Sequence, residues 1–137
     1  MAADLSMRIQ YRHPKLYELL VHKFLYSRRL WERFRSEIGE NNTVFDVGAG
    51  FGYVTRFLHP SNHYYGIDLN KVFVRHGRNM GINLETKDIF DPKAYKQSDI
   101  FLVVDIVHHF SRERLKVLFD CIFDMHKKKL LSLILPL

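Results

Sequence analysis

The segment from Val44 to Gly52 has the composition of a ligand-binding loop. It reads Val-Phe-Asp-Val-Gly-Ala-Gly-Phe-Gly, so a short apolar run leads into glycines at alternate positions. Such glycines let a strand-to-helix turn bend tightly and let a ligand approach bare backbone, while the next helix begins with free N–H groups. A plain turn needs one glycine, so this spacing favours a ligand site.

Two classes of ligand compete for this loop. The dinucleotide pattern Gly-x-Gly-x-x-Gly would require a third glycine where the chain has Tyr53. Asp46, two residues before the first glycine, is badly placed for a pyrophosphate. It is well placed for an ammonium or sulfonium group, because opposite charges attract. The spacing therefore disfavours a nicotinamide-dependent oxidoreductase but leaves it open as an alternative.

Acidic side chains recur at the predicted carboxyl ends of four strands: Asp46, Asp68, Asp88 and Asp105. In a doubly wound sheet these ends form the ligand crevice. Asp68 is predicted to accept the hydroxyls of a ribose, although it could instead cap the next helix, and Leu69 beside it could cover a purine. Asp88 could accept a hydrogen bond from an adenine amino group while Ile89 packs on the adenine ring. Alternatively, Asp88 could belong to a solvated turn.

The elements that position these residues follow from periodicity and capping signals. We predict an α/β fold with an N-terminal helical leader (1–40) and a β/α core (41–137), together forming one domain over 1–137. Strands are predicted at 43–47, 64–67, 82–86, 100–106 and 130–135, and helices at 13–38, 53–58, 70–80 and from 111. Alternating strands and helices imply a Rossmann-like, doubly wound parallel sheet of about five strands.

Composition limits the class of protein. The 137 residues are 47% hydrophobic, enough for a folded core, and contain one cysteine, which leaves no internal disulfide or cysteine-based zinc site. No apolar run approaches the ~20 residues of a membrane span, and we expect a cytoplasmic protein. The net charge of +6 is spread along the chain, so it supports nucleic acid as a partner only weakly. Lys127–Lys129 is expected to form a solvated helix end.

These motifs together resemble those of the class I S-adenosylmethionine-dependent methyltransferases. The four matching segments occur in the family's order: 44–52, 66–70, 87–89 and 105–110. The resemblance implies S-adenosylmethionine as cofactor and the family's sheet. It implies a cofactor site formed by Asp46, Gly48, Ala49, Gly50, Gly52, Asp68, Leu69, Asp88, Ile89 and Asp105, with the leader helix beside the glycine loop and Tyr11 or Tyr17 helping to cover the cofactor.

The resemblance also suggests the reaction. His108 and His109 follow the fourth strand, near the expected position of the transferred methyl group, and imidazole suits a general base at neutral pH. His109 is the stronger candidate, and the alternative is that both histidines only shape a turn. The His-His-Phe sequence suggests a small or apolar acceptor rather than DNA adenine. An RNA methyltransferase and a binding module that is inactive alone remain alternatives.

The predicted sheet is truncated relative to the family's usual seven strands. We expect the fifth strand to have an unpaired apolar edge, blunted only by Pro136. Such an edge invites association, so a homodimer or a sheet-completing partner is expected there.

Overall fold

Five parallel strands form the centre of the protein in a computed structural model that describes residues 13–16, 28–104 and 106–133. The strands are β1 (Thr43–Val47), β2 (His63–Asp68), β3 (Leu84–Thr86), β4 (Ser98–Val104) and β5 (His126–Leu133). Their order across the sheet is β3-β2-β1-β4-β5. The order reverses between β1 and β4, where a doubly wound sheet opens a crevice at its carboxyl edge. The predicted fold class is confirmed.

Helices cover both faces of this sheet. They are α1 (Arg28–Ile38), α2 (Lys71–Asn79) and α3 (Arg112–Phe123). On one face Trp31 of α1 and Phe73 of α2 pack with Leu102 of β4. On the other face Leu118 of α3 packs with Phe45 of β1. This two-sided burial explains why β4 is almost wholly apolar.

The predicted helix ends are confirmed at several residues. The Asn70 side chain accepts hydrogen bonds from the backbone N–H groups of Val72 and Phe73 at the start of α2. The Ser111 hydroxyl accepts from the N–H of Arg114 at the start of α3. These oxygens satisfy N–H groups that have no partner inside the helix. The leader helix is confirmed at 14–16 and over Arg28–Ile38, and residues 17–27 lie outside the described part.

Other predictions about the elements were wrong. The segment Tyr53–Phe57 after the glycine loop is a 3-10 helix, and Lys127–Lys129 belongs to strand β5 rather than to the end of α3. Parallel pairing with β4 sets this boundary, because Lys129 lies opposite Ile100 and Leu130 opposite Phe101. The lysines therefore place charge on the outer strand, which discourages edge pairing, and Pro136 lies outside the described residues. Within the described segments, no helix is long and apolar enough to cross a membrane.

Candidate functional site

The glycine-rich loop leaves β1 at the carboxyl edge of the sheet in a conformation that requires glycine. Gly48, Gly50 and Gly52 have φ values of 71°, 59° and 81°, in the left-handed region that side chains disfavour. The N–H groups of Gly48 and Ala49 both donate to the carbonyl oxygen of Ile67, at 2.9 and 3.0 Å. The loop is thereby fastened to the end of β2.

Asp68 joins the loop to the start of α2. Its Oδ2 accepts a 2.8 Å hydrogen bond from the N–H of Gly50, and its Oδ1 accepts a 2.7 Å bond from the N–H of Asn70. Burial raises the pKa of Asp68, and the hydrogen bonds from Asn70 and Gly50 oppose that rise. Asp68 therefore shapes the loop directly, and the capping oxygen of α2 belongs to Asn70.

Asp46 lies beneath the loop with only 1% of its surface exposed. Its Oδ2 accepts a 2.6 Å hydrogen bond from the hydroxyl of Tyr64. Burial raises the pKa of Asp46 to about 7, with a lowering contribution from the Tyr64 hydrogen bond and a raising one from the charge of Asp68. The two carboxyls are thus electrostatically coupled, and Asp46 titrates near neutral pH.

Tyr64 was missed by the sequence analysis. Its strand pairs with β1 so that Val44 lies opposite Tyr64 and Asp46 opposite Gly66. Gly66 leaves room for the tyrosine, because a Cβ there would lie 2.8 Å from the Tyr64 hydroxyl and 2.7 Å from the Cβ of Ala49. The signal in the sequence is the alternation in β2, which puts Tyr64 and Gly66 on one face.

The described residues leave the surface above Gly50 open. A Cβ built on Gly50 would meet one side chain within 4 Å, that of Phe73 at 3.5 Å. Leu69, next to Asp68, is 64% exposed, as expected of a side chain available to a ligand. Bare backbone, a carboxylate and an exposed apolar side chain therefore surround one opening.

The predicted adenine-binding pair takes part in the protein's own packing. Oδ1 of Asp88 accepts a 2.9 Å hydrogen bond from the N–H of Phe90, which forms a local turn. The Ile89 side chain packs against the core on the α3 face, and its carbonyl accepts from the Tyr95 hydroxyl. The turn interpretation of Asp88 therefore describes these contacts.

The two histidines lie on a 3-10 helix, Val107–His109, shortly after β4. Both side chains are exposed, and their ring centroids are 4.0 Å apart. An aromatic cluster adjoins them, in which the ring of Phe110 meets that of Phe90 edge-on at 5.0 Å. The Arg114 guanidinium lies 4.1 Å from the centre of the Phe90 ring, so the loops after β3 and β4 are joined by ring and cation contacts.

Helix α1 borders the loop through its aromatic face. Trp31 stacks on Phe57 at 3.9 Å and meets Tyr53 edge-on at 6.4 Å, so α1 covers the 3-10 helix that follows the glycines. The predicted position of the leader helix beside the loop is confirmed for this part of it. Asp105, Tyr11 and Tyr17 lie outside the described residues.

Comparison with known proteins gives matches at the level of structure. No protein-family model and no curated protein matches the chain. A SAM-dependent methyltransferase from Archaeoglobus fulgidus matches with a TM-score of 0.66 and 25% identity, over 86% of this chain and 57% of that one. The N-methyltransferase NodS from Bradyrhizobium japonicum, in complex with S-adenosyl-L-homocysteine, matches with a TM-score of 0.74 and 14% identity, over 93% and 70%.

A third structure is magnesium protoporphyrin IX methyltransferase from Synechocystis with bound SAM. It matches with a TM-score of 0.65 and 14% identity, over 76% of this chain and 54% of that one. The chain thus spans about half the length of several structures it matches. With the strand order and the loop described above, these matches establish that the chain resembles the class I S-adenosylmethionine-dependent methyltransferases and has their fold.

Proposed function

We propose that the chain binds S-adenosylmethionine at the carboxyl edge of the sheet and transfers its methyl group to a small or apolar acceptor. The observation that carries the proposal is the bridge from Asp68 to Gly50 and Asn70, at 2.8 and 2.7 Å. It holds a loop of left-handed glycines open beside a carboxylate, which is an arrangement that suits an adenosyl ligand.

Asp68 retains hydrogen-bonding capacity for a ribose. A carboxylate offers roughly four acceptor positions, and the backbone bonds from Gly50 and Asn70 occupy two of them. The remaining positions can accept the two hydroxyls of a ribose. Leu69 would then lie against the adenine, and the backbone of Gly50 against the amino acid part of the cofactor.

Asp46 would act on the cofactor through its charge rather than by direct contact. It is 1% exposed, and the loop separates it from the opening. A cationic ligand above the loop favours the ionised carboxylate and lowers its pKa. Ionised Asp46 in turn attracts the ammonium and sulfonium groups, since the interaction is strong away from water.

When bound, the cofactor supplies an electrophilic methyl group on a positively charged sulfur. The chain's contribution is to align an acceptor with that methyl group, since alignment lowers the barrier of a displacement. His109, or less favourably His108, would take the proton of an O–H or N–H acceptor as the acceptor's electron pair forms the new bond. Asp68 and the backbone of Gly50 would hold the S-adenosylhomocysteine that remains after the transfer.

A second candidate function is a cofactor-binding module whose activity needs a partner. Strand β5 has the outer position in the strand order, and Leu130 and Leu131 on it are half-buried. An outer strand offers unpaired backbone groups to another chain. We propose that a second copy or a different protein pairs there. Light scattering after size-exclusion chromatography would give the mass of a dimer if the partner is a second copy.

Calorimetric titration with S-adenosylmethionine, S-adenosylhomocysteine and NADH tests the proposed function. Micromolar binding of the two adenosyl compounds and not of NADH is the expected result. Binding of NADH alone by folded protein would instead favour the oxidoreductase alternative, and binding without turnover over a panel of acceptors would favour the module.

A further inference from the structure

A basic cleft lies between α2 and strand β3, away from the histidines. Its volume is about 320 Å³, and its lining residues are Lys71, Val74, Arg75, Arg78, Asn79 and Thr86. Val74 is buried and forms the floor, while the polar lining residues are exposed. The cleft therefore has an apolar base and a rim of hydrogen-bond donors.

The three cations of the cleft have no acidic partner in the described part of the chain. Lys71, Arg75 and Arg78 recur at steps of four and three along α2, which places them on one helix face. Among the residues that the structure describes, no acidic one lines the cleft, and the first turn of α2 contains none. Like charges at this spacing destabilise a helix slightly, so an anion in the cleft would relieve their repulsion.

Two lysines elsewhere on the surface illustrate the contrast, because each has a carboxylate partner. Lys87 lies 3.1 Å from Glu85, and Lys116 lies 2.7 Å from Asp120. Glu85 is the acidic residue of β3. Its side chain lies on the opposite face of the sheet from the side chains of its neighbours Leu84 and Thr86. Thr86 therefore faces the cleft while Glu85 pairs with Lys87 on the opposite face. Three cations on one face of α2 therefore border the cleft without a carboxylate among its described lining residues.

The spacing of the cations suits an extended polyanion better than one phosphate group. Arg78 lies seven positions after Lys71, which corresponds to about 10 Å along a helix. Successive phosphates of one stacked strand are about 3.4 Å apart along its axis, so about three of them match this length. Guanidinium groups bind phosphates in bidentate fashion, and the Asn79 amide and Thr86 hydroxyl add neutral donors.

The cleft adjoins the proposed cofactor site through neighbouring residues. Lys71 follows Asn70, whose N–H binds Asp68, and Thr86 lies opposite Asp68 in the register of β2 with β3. An extended polyanion bound in the cleft would thus begin beside the part of that site proposed to hold the ribose. We infer that the basic cleft binds the phosphate backbone of a single-stranded nucleic acid. This inference goes beyond the proposed function, and its test measures binding rather than turnover.

The test is fluorescence anisotropy with labelled 12-nucleotide oligouridylate and oligothymidylate at two salt concentrations. The variant Arg75→Ala/Arg78→Ala should weaken binding at least tenfold and reduce the slope of log affinity against log salt by about two. The matched control is Arg29→Ala/Arg33→Ala, which removes two exposed arginines from α1. It should change affinity less than twofold, and circular dichroism should show that both variants fold.

Several outcomes would overturn the inference. Failure of the wild-type chain to bind either oligonucleotide at low salt would do so. An equal loss of affinity in both double variants would also do so, because it would indicate only an effect of overall charge. A loss confined to the α1 variant would place the nucleic acid on α1. Binding of tripolyphosphate without binding of oligonucleotide would indicate a small phosphorylated ligand, and equal affinity for polyglutamate would indicate an unselective basic surface.

Discussion

The Tyr64 hydroxyl donates a 2.6 Å hydrogen bond to Oδ2 of Asp46 beneath the glycine-rich loop. Adjacent parallel strands bring the two residues together, since Asp46 belongs to β1 and Tyr64 to β2. Asp46 is buried and Tyr64 is half-buried, and the burial of its hydroxyl end raises the pKa of the tyrosine well above its ordinary value. The tyrosine therefore remains a proton donor throughout the pH range in which Asp46 ionises.

The stability of the protein should fall as Asp46 ionises. Its pKa is about 7 in the folded chain against an ordinary value of 3.8, so the unfolded state loses this proton first. Raising the pH between these values then lowers the free energy of unfolding, by at most about 4 kcal/mol. Asp46→Asn should remove this dependence and raise the melting temperature more at pH 8.5 than at pH 5.5. Asp120→Asn, at an exposed carboxylate, should show no such difference.

Tyr64→Phe should destabilise the chain, and more so above pH 7. The variant leaves the buried Asp46 carboxylate without its donor, a loss of about 1–3 kcal/mol. Denaturant unfolding at pH 6 and pH 8.5 measures the effect. In a double-mutant cycle with Asp46→Asn, the two free-energy changes should be strongly non-additive; simple additivity would show that the hydrogen bond has no energetic role.

Gly50→Ala should lose cofactor binding beyond its cost in stability. At φ 59° an alanine is strained, by about 1–2 kcal/mol, although its Cβ would meet only Phe73, at 3.5 Å. Gly81→Ala is the matched control, because Gly81 has φ 83° and no atom near its Cβ position. Both variants should lose comparable stability, whereas titration with S-adenosylhomocysteine should show weakened binding for Gly50→Ala alone. Equal binding by both would contradict the cofactor role of Gly50.

Asp68→Ala should weaken S-adenosylhomocysteine binding by about 1–3 kcal/mol, the range for a lost buried hydrogen-bond partner. It should also lower the melting temperature, because Gly50 and Asn70 lose their acceptor. Asp91→Ala is the control, since its Oδ1 accepts from the N–H of Lys93 in another turn. Unchanged affinity in folded Asp68→Ala protein would contradict the ribose assignment.

His109→Gln should lower kcat by about 10²-fold or more while leaving cofactor affinity unchanged, since proton transfer by a positioned base contributes about 10²–10⁴-fold. His108→Gln should have a smaller effect. Single-turnover rates with an acceptor identified by screening measure both variants. If rising pH restores the rate of His109→Gln to that of the wild type, the base assignment is supported; equal rates at all pH values would contradict it.

The sequence predicted the features that depend on local pattern. The alternate glycines predicted the loop because their left-handed backbone is a property of each residue, as the φ values of Gly48 and Gly50 confirm. Asn70 and Ser111 predicted helix starts because a cap acts on N–H groups two or three residues away. The apolar run after position 99 predicted a central strand because burial on both faces excludes polar side chains.

Tertiary structure decided which distant residues meet. Only the register of β1 with β2 brings Tyr64 to Asp46, and only pairing with β4 draws Lys127–Lys129 into β5, where Lys128 reaches Asn42 at 2.7 Å. Likewise, the basic cleft requires the face of α2 to lie beside β3. The physical reason is that these contacts join residues far apart in the chain, whose positions follow from the packing of whole elements rather than from the preferences of neighbouring residues.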